Sequence, residues 1–193
     1  HVTDRRQRQM CIRDSPYTAA QALVDALINL GIKNATCVPG ESYLAVLDAL
    51  VDRREQLKLF TCRQEGGAAT MAEAMGRLSG HCGVCFVTRG PGATNASIGV
   101  HNAKQNGTPL LLFIGQVARE HRGREAFQEV DFETMFAPLA KWSVEIRDPD
   151  RMVEIINQAA NIATSGRPGP VVISLPEDML TKACNTRPFA QLR

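Results

Sequence analysis

Apolar positions along this chain recur in two alternating rhythms. Ala19, Ala22, Leu23, Ala26, Leu27 and Leu30 fall at i, i+3, i+4 spacing, the stripe of a helix with one buried face. Thr18 opens that helix with Gln21 three residues on, a capping-box pair, and Gly31 closes it as a C-terminal cap. Short apolar runs then predict strands over 35–38, 57–61, 83–87, 109–114 and 171–175. Between them the spacing predicts helices over 42–52, 66–79 and 93–105. After an irregular charged stretch at 117–130 come a short helix near 131–136 and a strand near 142–146. Asp148-Pro149 caps and starts a last helix, with Met152, Ile155, Ile156, Ala159 and Ala163 facing inward.

Strands alternate with helices throughout, and 110–114 and 171–175 are near-continuous apolar runs, as strands covered on both faces should be. The pattern predicts an α/β fold, a doubly wound, mostly parallel sheet of six strands with helices on both faces. No internal repeat or low-complexity segment interrupts it.

Composition changes this picture little. The chain has 193 residues, enough for one well-filled domain, with 44% hydrophobic and 22% charged residues. The formal charge of +2 comes wholly from residues 1–15, where Arg5, Arg6, Arg8 and Arg13 outweigh Asp4 and Asp14. A neutral body argues against a nucleic-acid partner. No run of 18 apolar residues predicts a membrane span. Residues 1–15 lack apolar periodicity and a signal-peptide core, and read as a non-native leader, with a native disordered basic arm as the alternative. Residues 16–181 read as the domain, and 182–193 as the start of a linker to a missing central domain, so the chain reads as a fragment. The six cysteines read as reduced thiols of a cytoplasmic protein. Cys82-Gly-Val-Cys85 has redox spacing, but it enters an apolar strand instead of a helix N-terminus, so it reads as buried structure.

Glu65 is the candidate for chemistry. It follows the run 57–62, read as a buried strand, and precedes a helix opening with Gly66-Gly67-Ala68-Ala69. The carboxyl edge of an open α/β sheet is where ligands bind, and the glycines leave room against the backbone. Alone, an acid in a first helical turn needs only the helix dipole to explain it. Gly90-Pro-Gly-Ala-Thr-Asn95 also follows a strand, but it misses the dinucleotide fingerprint, because Asn95 stands at the third glycine. Without other motifs it reads as a tight strand–helix turn capped by Asn95. Phe127-Gln-Glu129 is an aromatic in a polar loop, read either as a site element or as a loop tacked down by Phe127.

Taken together, Val38-Pro-Gly40, Arg63-Gln-Glu-Gly-Gly67, Thr88 to Asn95, Gly115-Gln-Val117, Phe127 to Asp131 and Gly166-Arg-Pro-Gly-Pro-Val171 resemble one family in order and spacing. It is the N-terminal, pyrimidine-binding domain of thiamine diphosphate enzymes of the acetolactate synthase type, over about residues 17–181. The resemblance implies that Glu65 hydrogen-bonds a ring nitrogen of the aminopyrimidine and so promotes loss of the thiazolium C2 proton. Asp would fall one methylene short, and Gln could not exchange the proton. That task asks for a water-poor pocket. The resemblance also places Gly40, Pro91 and Asn95 against the cofactor, and Gln128 on the substrate side, with Glu65 and Gln128 as catalytic residues. It implies a 2-oxo acid substrate, a homodimer or tetramer with its active site between subunits, and Mg2+ held by a C-terminal domain. FAD is a further cofactor of some such parents, and no metal ligand is expected in this chain. Alternatives are a non-catalytic dimerisation or binding module of the same fold, against which Glu65 argues, and a nucleotide- or flavin-binding domain.

Three positions depart from the family pattern. Acetolactate synthases read Pro-Gly-Gly where this chain has Pro39-Gly40-Glu41, Ser where it has Arg89, and Pro-Lys-Asp where it has Pro176-Glu177-Asp178. A carboxylate at 41 is expected to repel that of pyruvate, with Glu177 acting in the same direction. The substrate is then bulkier or less anionic than pyruvate, or is positioned by Arg89.

Overall fold

The computed structural model describes residues 16–188, so the predicted leader and the end of the predicted linker lie outside the described residues. Six strands form one sheet: β1 (Asn34–Cys37), β2 (Lys58–Thr61), β3 (Gly83–Val87), β4 (Leu110–Gln116), β5 (Trp142–Glu145) and β6 (Pro170–Pro176). Their order is β2-β1-β3-β4-β6-β5, and every pairing is parallel. The long helices are α1 (Ala19–Asn29), α2 (Leu44–Asp52), α3 (Glu65–Ser79), α4 (Gly90–Asn106) and α6 (Met152–Thr164). The short helices α5 (Phe132–Phe136) and α7 (Glu177–Leu180) complete the set.

Period-two alternation in the strands makes two cores. Val84 and Phe86 of β3, Leu111 and Phe113 of β4, and Val171 and Ile173 of β6 pack against α1, α2 and α6. Cys85 and Val87, Leu110 and Leu112, and Val172 face α3, α4 and α5. Both faces are covered, which is why β4 and β6 read as unbroken apolar runs. Phe86 stacks on Phe113 with ring centroids 4.9 Å apart, in the first core.

The capping box predicted for α1 is present, with Gln21 N donating to Thr18 Oγ1 and Thr18 N to Gln21 Oε1. Asp148 caps as predicted, but through a 3-10 turn, Pro149–Arg151, that precedes α6. Two boundaries differ in ways that matter for the site. The run 57–62 is not a buried strand. Among the described residues β2 is the sheet edge and pairs only with β1, and Lys58 and Thr61 are exposed. Helix α4 starts at Gly90, three residues earlier than the spacing predicts, since a proline in the first helical turn has no hydrogen bond to lose. Asn95 is therefore a residue inside the helix and caps nothing.

Beyond α7 the chain returns to the domain. Ala19 N donates to Lys182 O, Cys184 N donates to Tyr17 O, and Cys184 is buried in the first core. Asn185 and Thr186 bond to Asp150, and the Arg187 guanidinium lies 4.4 Å from the Tyr17 ring centre. The first residues assigned to a linker are thus bound to the domain surface. Among the described residues no helix is long and apolar enough to cross a membrane.

Candidate functional site

The chain leaves β1 towards one face of the sheet and β3 towards the other, so their carboxyl ends flank the point where the winding reverses. Open α/β sheets bind ligands in that crevice. Three loops meet there. Gly40, after β1, lies so close to Thr88, after β3, that a β-carbon on it would stand 2.6 Å from Thr88 Cβ. Ser42 and Thr88 join their hydroxyls at 2.8 Å and fix the two loops together.

Glu65 is the first residue of α3, beyond the end of β2. Gln64 caps the helix by accepting from Gly67 N at 2.8 Å, which leaves the Glu65 side chain free to turn away from the backbone. It turns towards α4, where Asn95 Nδ2 donates to Glu65 Oε2 at 3.0 Å. The two helices approach closely because Gly99 has no side chain. A β-carbon there would lie 2.4 Å from Ala69 Cβ. The other carboxylate oxygen faces Gly92, where a β-carbon would sit 3.7 Å from Oε1, so the backbone of Gly92 forms the wall on that side. Glu65 is half-buried, while Pro91 and Asn95 are exposed. The water-poor pocket expected around Glu65 is therefore not built by these residues alone.

Gln128 joins the same assembly through its backbone, with Gly90 N donating to Gln128 O at 3.1 Å. Its φ of 62° lies in the left-handed region, an uncommon conformation for a residue with a side chain. Phe127 does not tack the loop down, being 75% exposed. Glu129 does that work, since its carboxylate accepts from Gly123 N and Arg122 Nη1, both at 2.7 Å, and from Ala126 N at 3.1 Å. The Gly123 N–H, ahead of the other contacts and against the cost of burial, holds this carboxyl below the ordinary range. Behind the loop the buried Glu145 carboxylate meets Arg147 Nε at 2.9 Å and Arg122 Nε at 3.1 Å, the latter close but not aligned for a hydrogen bond. An open cavity of about 660 Å3 lies against this loop and Arg147, apart from Glu65.

The charged residues Glu41, Arg89 and Glu177 converge. Arg89 Nη2 donates to Glu41 Oε1 at 2.7 Å, and Arg89 Nη1 lies 3.7 Å from Glu177 Oε2. The carboxylate expected to stand unopposed at 41 is therefore paired, and Arg89 is no free cation.

A family model described as the thiamine pyrophosphate enzyme, N-terminal TPP binding domain, matches residues 17–135. The chain belongs to this family. Members of known name resemble it over most of its length. It is 41% identical over 167 residues to the acetolactate synthase large subunit of Pyropia yezoensis, covering 86% of this chain and 28% of that protein. It is 36% identical over 168 residues to the acetolactate synthase of Bacillus subtilis (strain 168), covering 87% of this chain and 29% of that one. With the mitochondrial acetolactate synthase catalytic subunit of Aspergillus candidus it shares 39% over 162 residues, 84% of this chain and 23% of the relative. The chain thus spans less than a third of the length of these relatives.

As a TPP binding domain, it brings its five predicted site residues to one edge. Glu65 and Asn95 are bonded directly, Pro91 opens the same helix, Gln128 is bound to Gly90, and Gly40 packs on Thr88. No local sequence pattern signals Glu129 as loop organiser or the Glu41–Arg89–Glu177 cluster. The charged residues at 41, 89 and 177 were visible in the sequence, but not their meeting. Cys82 and Cys85 are buried free thiols, pushed up by burial to about 11 and about 12, which suits packing and not thiolate chemistry. Among the described residues no cluster of His, Cys, Asp or Glu is arranged to hold a metal ion.

Proposed function

We propose that this domain presents Glu65 to the aminopyrimidine of thiamine diphosphate, within a longer enzyme that cleaves or joins C–C bonds of 2-oxo acids in acetolactate synthase-like chemistry. The observation that carries this reading is the Glu65–Asn95 bond at the crevice edge, which holds one carboxylate oxygen while the other faces Gly92. Those residues fit the cofactor, because a planar ring needs a flat wall such as Gly92 leaves and one acid aimed at its edge.

When bound, thiamine diphosphate supplies the carbon nucleophile that attacks the carbonyl of a 2-oxo acid. The chain's own residues do the rest of the local work. Glu65 holds a proton at its other oxygen for a ring nitrogen, and Asn95 keeps the carboxyl from rotating. Gly40 and Pro91 shape the wall, and Gln128 stands on the substrate side. Glu65 and Gln128 act as the catalytic residues. The half-open setting of Glu65 supports a site completed by a second subunit, as a homodimer or tetramer, which would exclude water. The diphosphate and its Mg2+ belong to a C-terminal domain of the parent, FAD is a further cofactor to be sought there, and the setting is cytoplasmic.

The test is calorimetric titration of the full-length protein with thiamine diphosphate and Mg2+. Micromolar or tighter binding, weakened by Glu65→Gln, is expected. No binding by the unaltered full-length protein would overturn the reading.

A further inference from the structure

Three residues from three strand ends make one charge cluster at the edge where the candidate site lies. Glu41 follows β1, Arg89 follows β3, and Glu177 follows β6. They are far apart in sequence, and the structure brings their charged groups together. A guanidinium whose side chain is 9% exposed is costly to bury unpaired, and Glu41 and Glu177 lie against it. The Arg89 Nε keeps no hydrogen-bond partner among the described residues, so the burial is costly and is offset only by the two acids.

The arrangement has a direction. The cation lies beneath, while the Glu41 side chain is 73% and the Glu177 side chain 39% exposed. One positive and two negative charges leave the cluster at −1, with its negative side outward. The neighbouring Asp178 adds nothing to that balance, because Arg119 neutralises it at 2.8 Å. The cluster borders the site on two sides, since Glu41 is next to Gly40 and Arg89 is next to Gly90, which holds Gln128.

We propose that Glu41, Arg89 and Glu177 form a charge filter that makes the enzyme choose an uncharged carbonyl acceptor, an aldehyde or simple ketone, over a second 2-oxo acid. This rests on the thiamine diphosphate reading and names the acceptor class for it. The overall step balances as 2-oxo acid plus aldehyde giving 2-hydroxy ketone plus CO2. The donor's bond between carbonyl carbon and carboxylate breaks and a bond to the aldehyde carbon forms. The aldehyde oxygen takes up the proton. The donor's carboxylate leaves as CO2 before the acceptor reacts. A carboxylate on the acceptor persists through the bond-forming step and remains in the field of the cluster. Like-charge placement of this kind rejects wrong partners more than it strengthens right ones.

The experiment gives the full-length, cofactor-loaded enzyme pyruvate as donor with acetaldehyde and pyruvate competing as acceptors at equal concentration. The readout is the ratio of acetoin to acetolactate, which does not depend on how fast the donor step runs. Acetoin should dominate. Glu41→Gln and Glu177→Gln should each shift the ratio towards acetolactate by about tenfold, the equivalent of about 1.4 kcal/mol between the two transition states. Glu177→Asp should restore it. Should a variant fail to fold, the unaltered enzyme still decides. Salt that shortens the Debye length from about 10 Å to about 3 Å must move the ratio the same way. Acetolactate as the main product, or a ratio indifferent to both the substitutions and salt, overturns the filter. Calorimetry on the same preparation shows whether cofactor binding has failed instead, which would overturn the underlying reading as well.

Discussion

Asn95 donates its side-chain amide to one oxygen of Glu65, across thirty residues of sequence, from the second turn of α4 to the first turn of α3. This bond ties the acid on α3 to the helix start that carries Pro91. It makes Asn95 a positioning residue for Glu65. Because both ends are accessible to solvent, the bond matters less for folding than for where the carboxyl points.

Asn95→Ala should therefore leave the unfolding midpoint nearly unchanged, within the roughly 0.5 kcal/mol expected of an exposed substitution. Loss of a hydrogen bond to a charged group is worth about 1.5–3 kcal/mol where it is used. Thiamine diphosphate affinity of the full-length protein should fall by about tenfold or more. Calorimetry and a thermal melt on the same sample separate the two effects.

Gly99→Ala acts through packing. The added methyl would stand 2.4 Å from Ala69 Cβ and 2.8 Å from Ala69 C, so α3 and α4 must move apart. Overpacking of this kind costs about 1–3 kcal/mol. The same movement would separate Glu65 from Asn95, so cofactor affinity should drop along with the melting temperature. A melt unchanged by this substitution would contradict the close helix contact.

Glu129 gives the Gln128 loop a dependence on pH. Its carboxyl is held below the ordinary value of 4.5, chiefly by the Gly123 N–H. A depressed folded-state value means that its stabilisation is full above about 4.5 and is lost as pH falls through the lower folded-state value. Glu129→Gln should cost about 1–2 kcal/mol at neutral pH, in line with hydrogen bonds to a charged acceptor. The difference between the two proteins should vanish in acid. Denaturant melts from pH 7 down to about pH 3 check this, and a difference that grows in acid would contradict it.

Much of the architecture was legible in the sequence for local reasons. The stripe of α1 and the inward set of α6 are set by helical spacing, and β4 and β6 by apolar runs that only doubly covered strands carry. Glu65, Asn95 and Pro91 were legible as a set only because several motifs stood in order. What escaped was set by long-range geometry. Whether the run 57–62 lay inside the sheet or at its edge depended on a strand order that no local pattern encodes. Arg89, Glu41 and Glu177 are far apart in sequence and meet because parallel strands deliver their following residues to one edge. Of the two readings open for Phe127, the anchor fails, because the side chain is exposed and the loop is wound on the carboxylate of Glu129.

Cofactor activation is proposed to run through a proton held by Glu65. The most direct measurement is the exchange rate of the C2 proton of bound thiamine diphosphate, followed by NMR in the full-length protein and in Glu65→Gln. The amide keeps the shape of the side chain but cannot exchange a proton with the ring. Exchange should slow by orders of magnitude while the fold and the melting temperature are preserved. An exchange rate unchanged in Glu65→Gln, with cofactor still bound, would contradict it and leave Glu65 as a charge that merely starts α3.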